Sequence, residues 1–446
     1  MLNKLFASKL FAFTKDVYVR KLILFGLLIR FIIILFYTNV TIYPDSSGFL
    51  ELSDYLLNFD LSGYEGYRTI GYPFLIFLGF GNEWLVVIYQ FFIGVYGSVV
   101  LYKTAVNLRF SSKFSFIISL ISQSFLNVLF YETAILSESL TLFFMMLLMY
   151  EISKGYFSKT NLKSEIWMGF ILGCLVLIKP FYAYIGFLIY GLSLLQDFKW
   201  NKIISKKIII LILPLFAYFG WSYVNKVNTG YFVSTTYFGL NLSQNCVYFA
   251  EKGPKEYDWI MKPYVKYREI YIEEDKDVAM TIWGAYETEL QYSHTSLPDF
   301  SAELGKYAMA TVQMNPKEYL KQVVCRSWVD FWKPAIYWNY NQFNFKYANM
   351  LFLLIWYFQL LLITVTTITF IIISLYYISD YFKTKIISFE FFGVLLVWVT
   401  SILQALVTYG TNAKYRFPFE FVILLVVILF FRNKKMIPSS LNNFLQ

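Results

Sequence analysis

Ten apolar segments divide the sequence, and their lengths constrain what the chain can fold into. They fall at roughly 22–42, 84–106, 114–130, 133–151, 166–178, 181–196, 207–225, 350–378, 387–409 and 417–431. A helix needs about 20 apolar residues to cross the hydrocarbon core of a bilayer. The 446 residues are 58% hydrophobic and only 15% charged, which lies outside the usage of soluble globular domains. The pattern predicts an all-α polytopic membrane protein with about ten transmembrane helices.

Clusters of basic residues predict which side of the membrane each loop faces. They lie near the N-terminus and after every second apolar segment: Lys9, Lys15, Arg20 and Lys21; Lys103, Arg109 and Lys113; Lys154, Lys159 and Lys163; Lys199, Lys202, Lys206 and Lys207; Lys383 and Lys385; Arg432, Lys434 and Lys435. Loops rich in Lys and Arg remain in the cytoplasm. Both termini are therefore predicted to be cytoplasmic in a plasma or inner membrane. These clusters also account for the net charge of +9, so nucleic-acid binding is not expected.

The same pattern predicts three regions. Residues 1–226 form an N-terminal transmembrane module of about seven helices, with an interfacial helix at the start and an outer loop over 43–82. Residues 227–347 form a small α-rich extracytoplasmic domain, and residues 348–446 contain about three more transmembrane helices. In the first outer loop, Phe49, Leu52, Leu56 and Phe59 recur at helical spacing, which predicts a helix lying along the membrane surface.

Ionisable residues at the predicted outer ends of the apolar segments are the candidate functional residues. An ionisable group within or beside a span costs a few kcal/mol or more, so it requires a partner or a function. Each one alone is also explained by a charged helix end or by a side chain that reaches the headgroups. Together they suggest a site for a phosphate beside a general base. The carboxylates are Asp45, Glu132 and Glu138, and the cations are Arg68, Lys179, Lys414 and Arg416.

Two further charges are predicted to be paired inside the bundle. Arg30 lies in the middle of the first segment and is expected to pair with another helix. Glu420 follows Arg416 by four residues, which places the two side chains on one helical face.

Cysteine and histidine usage gives no support for a metal or cofactor. The three cysteines, Cys174, Cys246 and Cys325, have no metal-ligand spacing, and His294 is the lone histidine. Cys246 and Cys325 share the long outer segment, and a disulfide between them is left open by the sequence.

Five short motifs contain Asp45, Arg68, Glu138, Lys179 and Arg416, in that order along the chain. Their order and spacing resemble those of the GT-C glycosyltransferases. The nearest branch is the bacterial relatives of protein O-mannosyltransferases and aminoarabinose transferases, which are similar to glycosyltransferase family 39. The resemblance covers about the first 200 residues and the last span, and the outer domain matches loosely at Asn315–Leu320. Asp45 is followed by Ser46 and not by a second acid, which weakens the case for a metal. The motifs are Asp45 after the first span, Arg68 with Gly71-Tyr72-Pro73, Ser137-Glu138-Ser139, Lys179-Pro180 and Tyr415-Arg416-Phe417-Pro418.

The resemblance implies a GT-C-like bundle and transfer of a sugar from a polyprenyl-phosphate donor. The acceptor would be a glycan, lipid or protein on the outer face of the membrane, and the reaction would invert the anomeric carbon. Asp45 would be the general base, and Glu132, Glu138 and Tyr67 would line the acceptor or donor pocket. Arg68, Lys179, Arg416 and Lys414 would hold the lipid phosphate. Two alternatives remain open: a polysaccharide polymerase or ligase, and a flippase or transporter for a lipid-linked substrate.

Overall fold

The structure is a computed structural model that describes residues 16–158, 161–196, 206–293, 296–410 and 412–434. The N-terminal interfacial helix predicted before residue 16 lies outside these ranges. So do His294 and six of the basic residues that entered the orientation argument: Lys9, Lys15, Lys159, Lys199, Lys202 and Lys435. Within the described ranges the regular secondary structure is helical, as predicted, apart from one isolated β-bridge.

The helices overlap the apolar segments and also occur in the polar regions between them. In the first half they are α1 (Val17–Phe36), α2 (Pro44–Leu57), α3 (Gly71–Leu78), α4 (Glu83–Asn107), α5 (Ser112–Gln123), α6 (Leu126–Glu132), α7 (Glu138–Ser153), α8 (Leu162–Ile178), α9 (Ala183–Gln196) and α10 (Ile209–Thr229). The second half contains α11 (Phe238–Gln244), α12 (Asp258–Glu273), α13 (Thr281–Thr288), α14 (Leu297–Met314), α15 (Pro316–Gln322), α16 (Trp328–Phe331), α17 (Ala348–Thr384), α18 (Phe389–Val407), α19 (Asn412–Arg416) and α20 (Glu420–Asn433).

Four of the described helices are long and apolar enough to cross a membrane, namely α4, α10, α17 and α18. Helices α5 and α6, which meet at a bend of 58°, add a fifth span if they are counted as one. The chain is therefore a multi-pass membrane protein, and the larger number of about ten spans remains a prediction. Helix α17 has 37 residues and is about 55 Å long at 1.5 Å per residue, well beyond the roughly 30 Å of a hydrocarbon core.

The prediction of one helix over residues 133–151 is wrong at its start. Helix α6 ends at Glu132 and α7 begins at Glu138, so the two carboxylates lie on different helices. Between them the chain pairs with the segment after α1: the Thr41 amide donates to Thr133 O at 3.0 Å, and the Ile135 amide donates to Thr41 O at 3.1 Å. Apolar composition cannot distinguish this short paired segment from a helix, because both provide hydrogen-bond partners for the backbone N–H and C=O groups.

The helix predicted in the first loop is present, but its apolar face is shorter than predicted, and its place along the membrane surface remains a prediction. Phe49 and Leu52 are buried on α2, whereas the helix ends at Leu57. Phe59 lies beyond that end with a φ of 52° and is 88% exposed. It therefore does not continue the buried face.

Two apolar cores organise the chain around the first loop. The larger one is built mainly by α4, α7, α8, α18 and α20. The second joins Leu52, Tyr64 and Tyr67 of the first loop to Trp221 of α10 and to helices α11–α14. The residues between α10 and α17 thus share a core with the first loop. The domain boundaries 226/227 and 347/348 remain predictions.

Arg30 is paired inside the bundle, as predicted. Its Nε donates to Glu132 Oε2 at 2.7 Å and its Nη2 donates to Oε1 at 2.5 Å, with both side chains 2% exposed. A Cβ at Gly94 of α4 would overlap Glu132 Oε1, so the missing side chain leaves room for this pair. The fold thereby encloses a bidentate ion pair between α1 and α6.

The structure contains no disulfide between Cys246 and Cys325. Cys246 is buried, Cys325 is exposed, and both are free thiols, as is Cys174.

Candidate active site

Asp45 is held between two cations that come from distant parts of the chain. Its Oδ1 accepts from Arg68 Nη2 at 2.8 Å, and its Oδ2 accepts from Lys414 Nζ at 2.8 Å. Lys414 is 369 residues further along the chain, on α19. The Asp45 side chain is 42% exposed, whereas those of Arg68 and Lys414 are 18% and 11% exposed. Of the three groups, the carboxylate is the most accessible to a substrate.

Local structure explains why an acidic residue is stable at this point. Pro44 starts α2 and Asp45 lies in its first turn, where the positive end of the helix favours a negative charge. Ser46 Oγ accepts from the Tyr43 amide at 2.9 Å, which satisfies one of the free donors at the helix start. The Asp45 carboxylate is thereby free to face the two cations.

Arg68 is fixed through both its main chain and its side chain. Tyr64 Oη accepts from the Arg68 amide at 2.6 Å, and Trp221 Nε1 donates to the Arg68 carbonyl at 3.0 Å. The guanidinium carbon lies 4.5 Å from the ring centroid of Phe49 and 5.3 Å from that of Tyr237, within the range of cation–π attraction. Arg68 is therefore a rigid part of the site.

The two cations determine the protonation of Asp45. Burial by itself would raise the pKa of the Asp45 carboxyl, but the charges and hydrogen bonds of Lys414 and Arg68 hold that pKa well below its usual range. For the Lys414 ammonium, burial by itself would lower the pKa, but the negative charge of Asp45 outweighs burial, and the pKa of Lys414 is raised. At neutral pH the site therefore contains a carboxylate and two cations.

A second ion pair lies next to the first. Lys179 Nζ contacts Glu138 Oε1 at 2.7 Å, with side chains that are 14% and 3% exposed. The Lys179 ammonium also lies 4.7 Å from the ring centroid of Tyr415, which directly follows Lys414 on α19. Glu138 interacts electrostatically with Lys414. Its second oxygen, Oε2, is buried and has no hydrogen-bond partner within the described part of the chain.

The Gly-Tyr-Pro sequence positions Lys179 relative to Arg68. A Cβ at Gly71 would lie 2.5 Å from the Leu177 carbonyl carbon and 2.6 Å from the Ile178 nitrogen. Thr69 Oγ1 donates to Ile178 O at 3.2 Å. The return of the first loop therefore packs directly on the end of α8, which stops at Ile178 because Lys179 precedes a proline and is extended.

Gln90 is a site residue that the sequence reasoning missed. It is fully buried on α4, and its Nε2 donates to Glu132 O at 2.9 Å and to Ala134 O at 3.0 Å. Its Oε1 accepts from Tyr72 Oη at 3.1 Å. Gln90 thus holds the non-helical segment that leads to Glu138. An amide within an apolar segment was the available signal, since such a group needs partners in the bilayer.

We expect Gln90→Met to lower the free energy of unfolding by about 1–3 kcal/mol, because the buried Glu132 carbonyl loses the Gln90 donor and the Ala134 carbonyl keeps only the Leu136 amide. Thermal or denaturant unfolding in detergent measures this change. Tyr72→Phe is the matched control, since it leaves both bonds from Gln90 Nε2 in place and removes the Tyr72 hydroxyl, with its bonds to Gln90 Oε1 and to the Leu136 main chain. It should cost about 0.5–1.5 kcal/mol. Equal losses for the two variants would contradict the role given to the Gln90 amide.

The structure brings together five of the predicted site residues: Asp45, Glu138, Arg68, Lys179 and Lys414. Tyr67 lies beside them, with its hydroxyl donating to Glu51 and its ring stacked on Tyr237 at 5.2 Å between centroids.

Two other predicted residues lie in separate buried pairs. Glu132 is bound to Arg30, as described above. Arg416 is 1% exposed and points into the bundle, where it contacts Glu420 Oε1 at 3.2 Å and donates to Thr367 Oγ1 at 2.6 Å. The predicted Arg416–Glu420 pair is thereby confirmed. Within the described residues, neither Arg416 nor Glu132 contacts Asp45, Arg68 or Lys414. Within the same residues, no group of three or more His, Cys, Asp and Glu side chains could hold a metal ion.

The fold and this site define an all-helical, multi-pass membrane protein with a cluster of two carboxylates and three cations. Neither a family model nor a curated protein matches the sequence. Among solved structures, the chain is similar to the archaeal oligosaccharyltransferase AglB from Archaeoglobus fulgidus, in complex with an inhibitory peptide and a dolichol-phosphate. The similarity has a TM-score of 0.47, with 12% sequence identity, and covers 96% of this chain. The chain spans about half, 52%, of the AglB chain.

Proposed function

We propose that this protein is a membrane glycosyltransferase that moves a sugar from a polyprenyl-phosphate donor to an acceptor hydroxyl. The observation that carries the proposal is Asp45, a partly exposed carboxylate held at 2.8 Å by both Arg68 and Lys414. This arrangement places a base, Asp45, beside two positive charges that could bind a phosphate. The sequence motifs that resemble GT-C glycosyltransferases include the same residues.

The phosphate of the donor would bind to the cations of the cluster. Arg68, Lys179 and Lys414 face two carboxylates, so the group keeps one net positive charge before a substrate enters. Arginine binds phosphate oxygens in a fixed geometry, and lysine acts as a compact charge. In this proposal Arg416 supports α19 from inside the bundle, while Arg68, Lys179 and Lys414 hold the phosphate.

Asp45 would act as general base in a single displacement. It takes the proton of the acceptor hydroxyl while the acceptor oxygen forms a bond to the anomeric carbon. The bond between that carbon and the phosphate oxygen breaks, and its electrons leave with the phosphate. The cations stabilise the negative charge that develops there, which is worth more in a site that excludes water. Attack opposite the leaving phosphate inverts the anomeric carbon.

Glu138 would orient the substrate from the other side of the cluster. One of its oxygens is engaged by Lys179 and the other, Oε2, is buried without a partner. A buried carboxylate oxygen without a partner is costly, and a sugar hydroxyl that donates to it would remove that cost. Tyr67 would contact the substrate from the first loop.

The proposal also keeps the predicted topology. The cluster would face the extracytoplasmic side, with both termini in the cytoplasm and the residues between α10 and α17 forming the extracytoplasmic domain. A glycan, a lipid or a protein would be the acceptor. The donor would reach the cluster from the bilayer.

We expect membranes that contain the protein to transfer label from a polyprenyl-phosphate-linked sugar, with inversion at the anomeric carbon. Chromatography of the label measures transfer, and NMR of the product determines the anomeric configuration. Lys414→Met should reduce transfer strongly, whereas Lys317→Met, on α15 outside the cluster, should not. Retained configuration would exclude the single displacement. Label that stays on the lipid, at the level of membranes without the protein, would contradict the proposed function.

A further inference from the structure

The base and the proposed phosphate site share the same cations. Both oxygens of Asp45 are engaged, one by Arg68 and one by Lys414. A carboxylate whose pKa is held this low takes up a proton poorly. The arrangement in the structure is therefore unsuited to deprotonating an acceptor, although it contains the right residue.

The two cations differ in how firmly they are held. Arg68 is bound through its amide, its carbonyl and the faces of Phe49 and Tyr237. The Lys414 ammonium has Asp45 as its one hydrogen-bond partner in the described contacts and lies 5.0 Å from the ring centroid of Tyr337. A lysine on a flexible stem can turn to a new anion, whereas the guanidinium cannot.

Among the described residues, Arg68 is the one cation that acts on Asp45 besides Lys414, so it alone would hold the carboxylate if Lys414 turned away. The groups that interact electrostatically with Asp45 or Lys414 are Arg68 in the first loop, Tyr43 before α2, Glu138 on α7, Tyr237 before α11 and Tyr337 after α16. Of these, Arg68 is the cation. The tyrosines are neutral at physiological pH, since burial raises the pKa of Tyr337 and Tyr237 to about 12.

We propose that the phosphodiester of the lipid-linked donor draws Lys414 away from Asp45, so that the carboxylate becomes an effective base only after the donor has bound. The inference rests on the proposed function, because it assigns the phosphate and the base to the same cluster. The phosphodiester carries one negative charge on two unesterified oxygens, so it can accept hydrogen bonds from the ammonium in place of the carboxylate. With the phosphate in place, Asp45 keeps Arg68 as partner, loses one of two cations and gains a neighbouring anion. Both changes raise its proton affinity.

Carbodiimide labelling of Asp45, measured by mass spectrometry of the full-length protein in detergent, tests this inference without requiring sugar transfer. Carbodiimides react with carboxyl groups that can be protonated, so a carboxylate between two cations should react slowly. We expect labelling of Asp45 to rise at least threefold when a polyprenyl methyl phosphate, a phosphodiester without a sugar, is added. The same polyprenol without phosphate should leave the labelling unchanged. Inorganic phosphate provides a further arm that separates a headgroup effect from one that needs the lipid tail.

Two controls accompany the experiment. Asp54, an exposed carboxylate on the same helix α2, should be labelled equally under all conditions. Lys414→Met should raise Asp45 labelling before any phosphate is added, and Lys414→Arg, which keeps a cation, should leave it low. The second variant also serves if Lys414→Met does not fold.

The outcomes separate the two proposals. If the phosphodiester binds, measured with radiolabelled lipid, and Asp45 labelling falls or stays constant, the inference is wrong and the proposed function stands. If the phosphodiester does not bind, both are wrong. Labelling that rises with bound phosphate supports the inference even in the absence of an identified acceptor.

Discussion

Asp45→Asn is expected to reduce sugar transfer by about 10²–10⁴-fold, the usual contribution of a positioned general base. The amide has nearly the shape of the carboxylate and can still accept from Arg68 or Lys414, but it cannot take a proton from the acceptor. The reduction should appear in transfer from the labelled polyprenyl-phosphate sugar, at saturating donor. Binding of the sugar-free lipid phosphate should be retained, since its cations remain.

Asp54→Asn is the matched control for this variant. Asp54 lies on the same helix and is exposed, and its carboxylate contacts neither Arg68 nor Lys414 in the described ion pairs. It should therefore keep wild-type transfer. Undiminished transfer by a folded Asp45→Asn protein would remove Asp45 from the mechanism.

Arg30→Leu is expected to lower the free energy of unfolding by about 3–5 kcal/mol, because it leaves the Glu132 carboxylate buried without its cation. The ion pair is bidentate, both side chains are 2% exposed, and the Glu132 carboxylate occupies the space that a side chain at Gly94 would fill. Thermal unfolding in detergent, or the retention of folded protein after heating, measures the loss.

The double variant Arg30→Leu/Glu132→Leu distinguishes a paired charge from a missing contact. Replacing both partners by apolar residues of similar volume is often nearly neutral, so most of the stability should return. If the double variant is as unstable as the single one, the ion pair is not the cause. Sugar transfer by the double variant also tests the predicted place of Glu132 in the substrate pocket, since the structure places it with Arg30 instead.

The helices were predictable because their apolar segments are long, and because a backbone in a bilayer must satisfy its own hydrogen bonds. The break between Glu132 and Glu138 was not predictable, since its hydrogen bonds come from Thr41 on another segment. Composition reports how apolar a segment is and carries no information about such a partner.

The candidate site was predictable in its residue types more than in its pairing. Asp45, Arg68 and Lys179 stood out as charges at the ends of apolar segments, yet the contact between Asp45 and Lys414 joins residues that are 369 positions apart. Both Lys414 and Arg416 were expected from the sequence to bind the lipid phosphate. They are two residues apart on a helical turn, so their side chains diverge by about 200°, and only one of them can face Asp45.

The bridge between Thr41 and Ala134 has a consequence for the spacing of the two carboxylates. Asp45 follows Thr41 by four residues, and Glu138 follows Ala134 by the same number. The bridge therefore ties together the two chain segments that lead to these acids. In the proposed function, this tie would keep Asp45 and Glu138 at a constant spacing around the substrate.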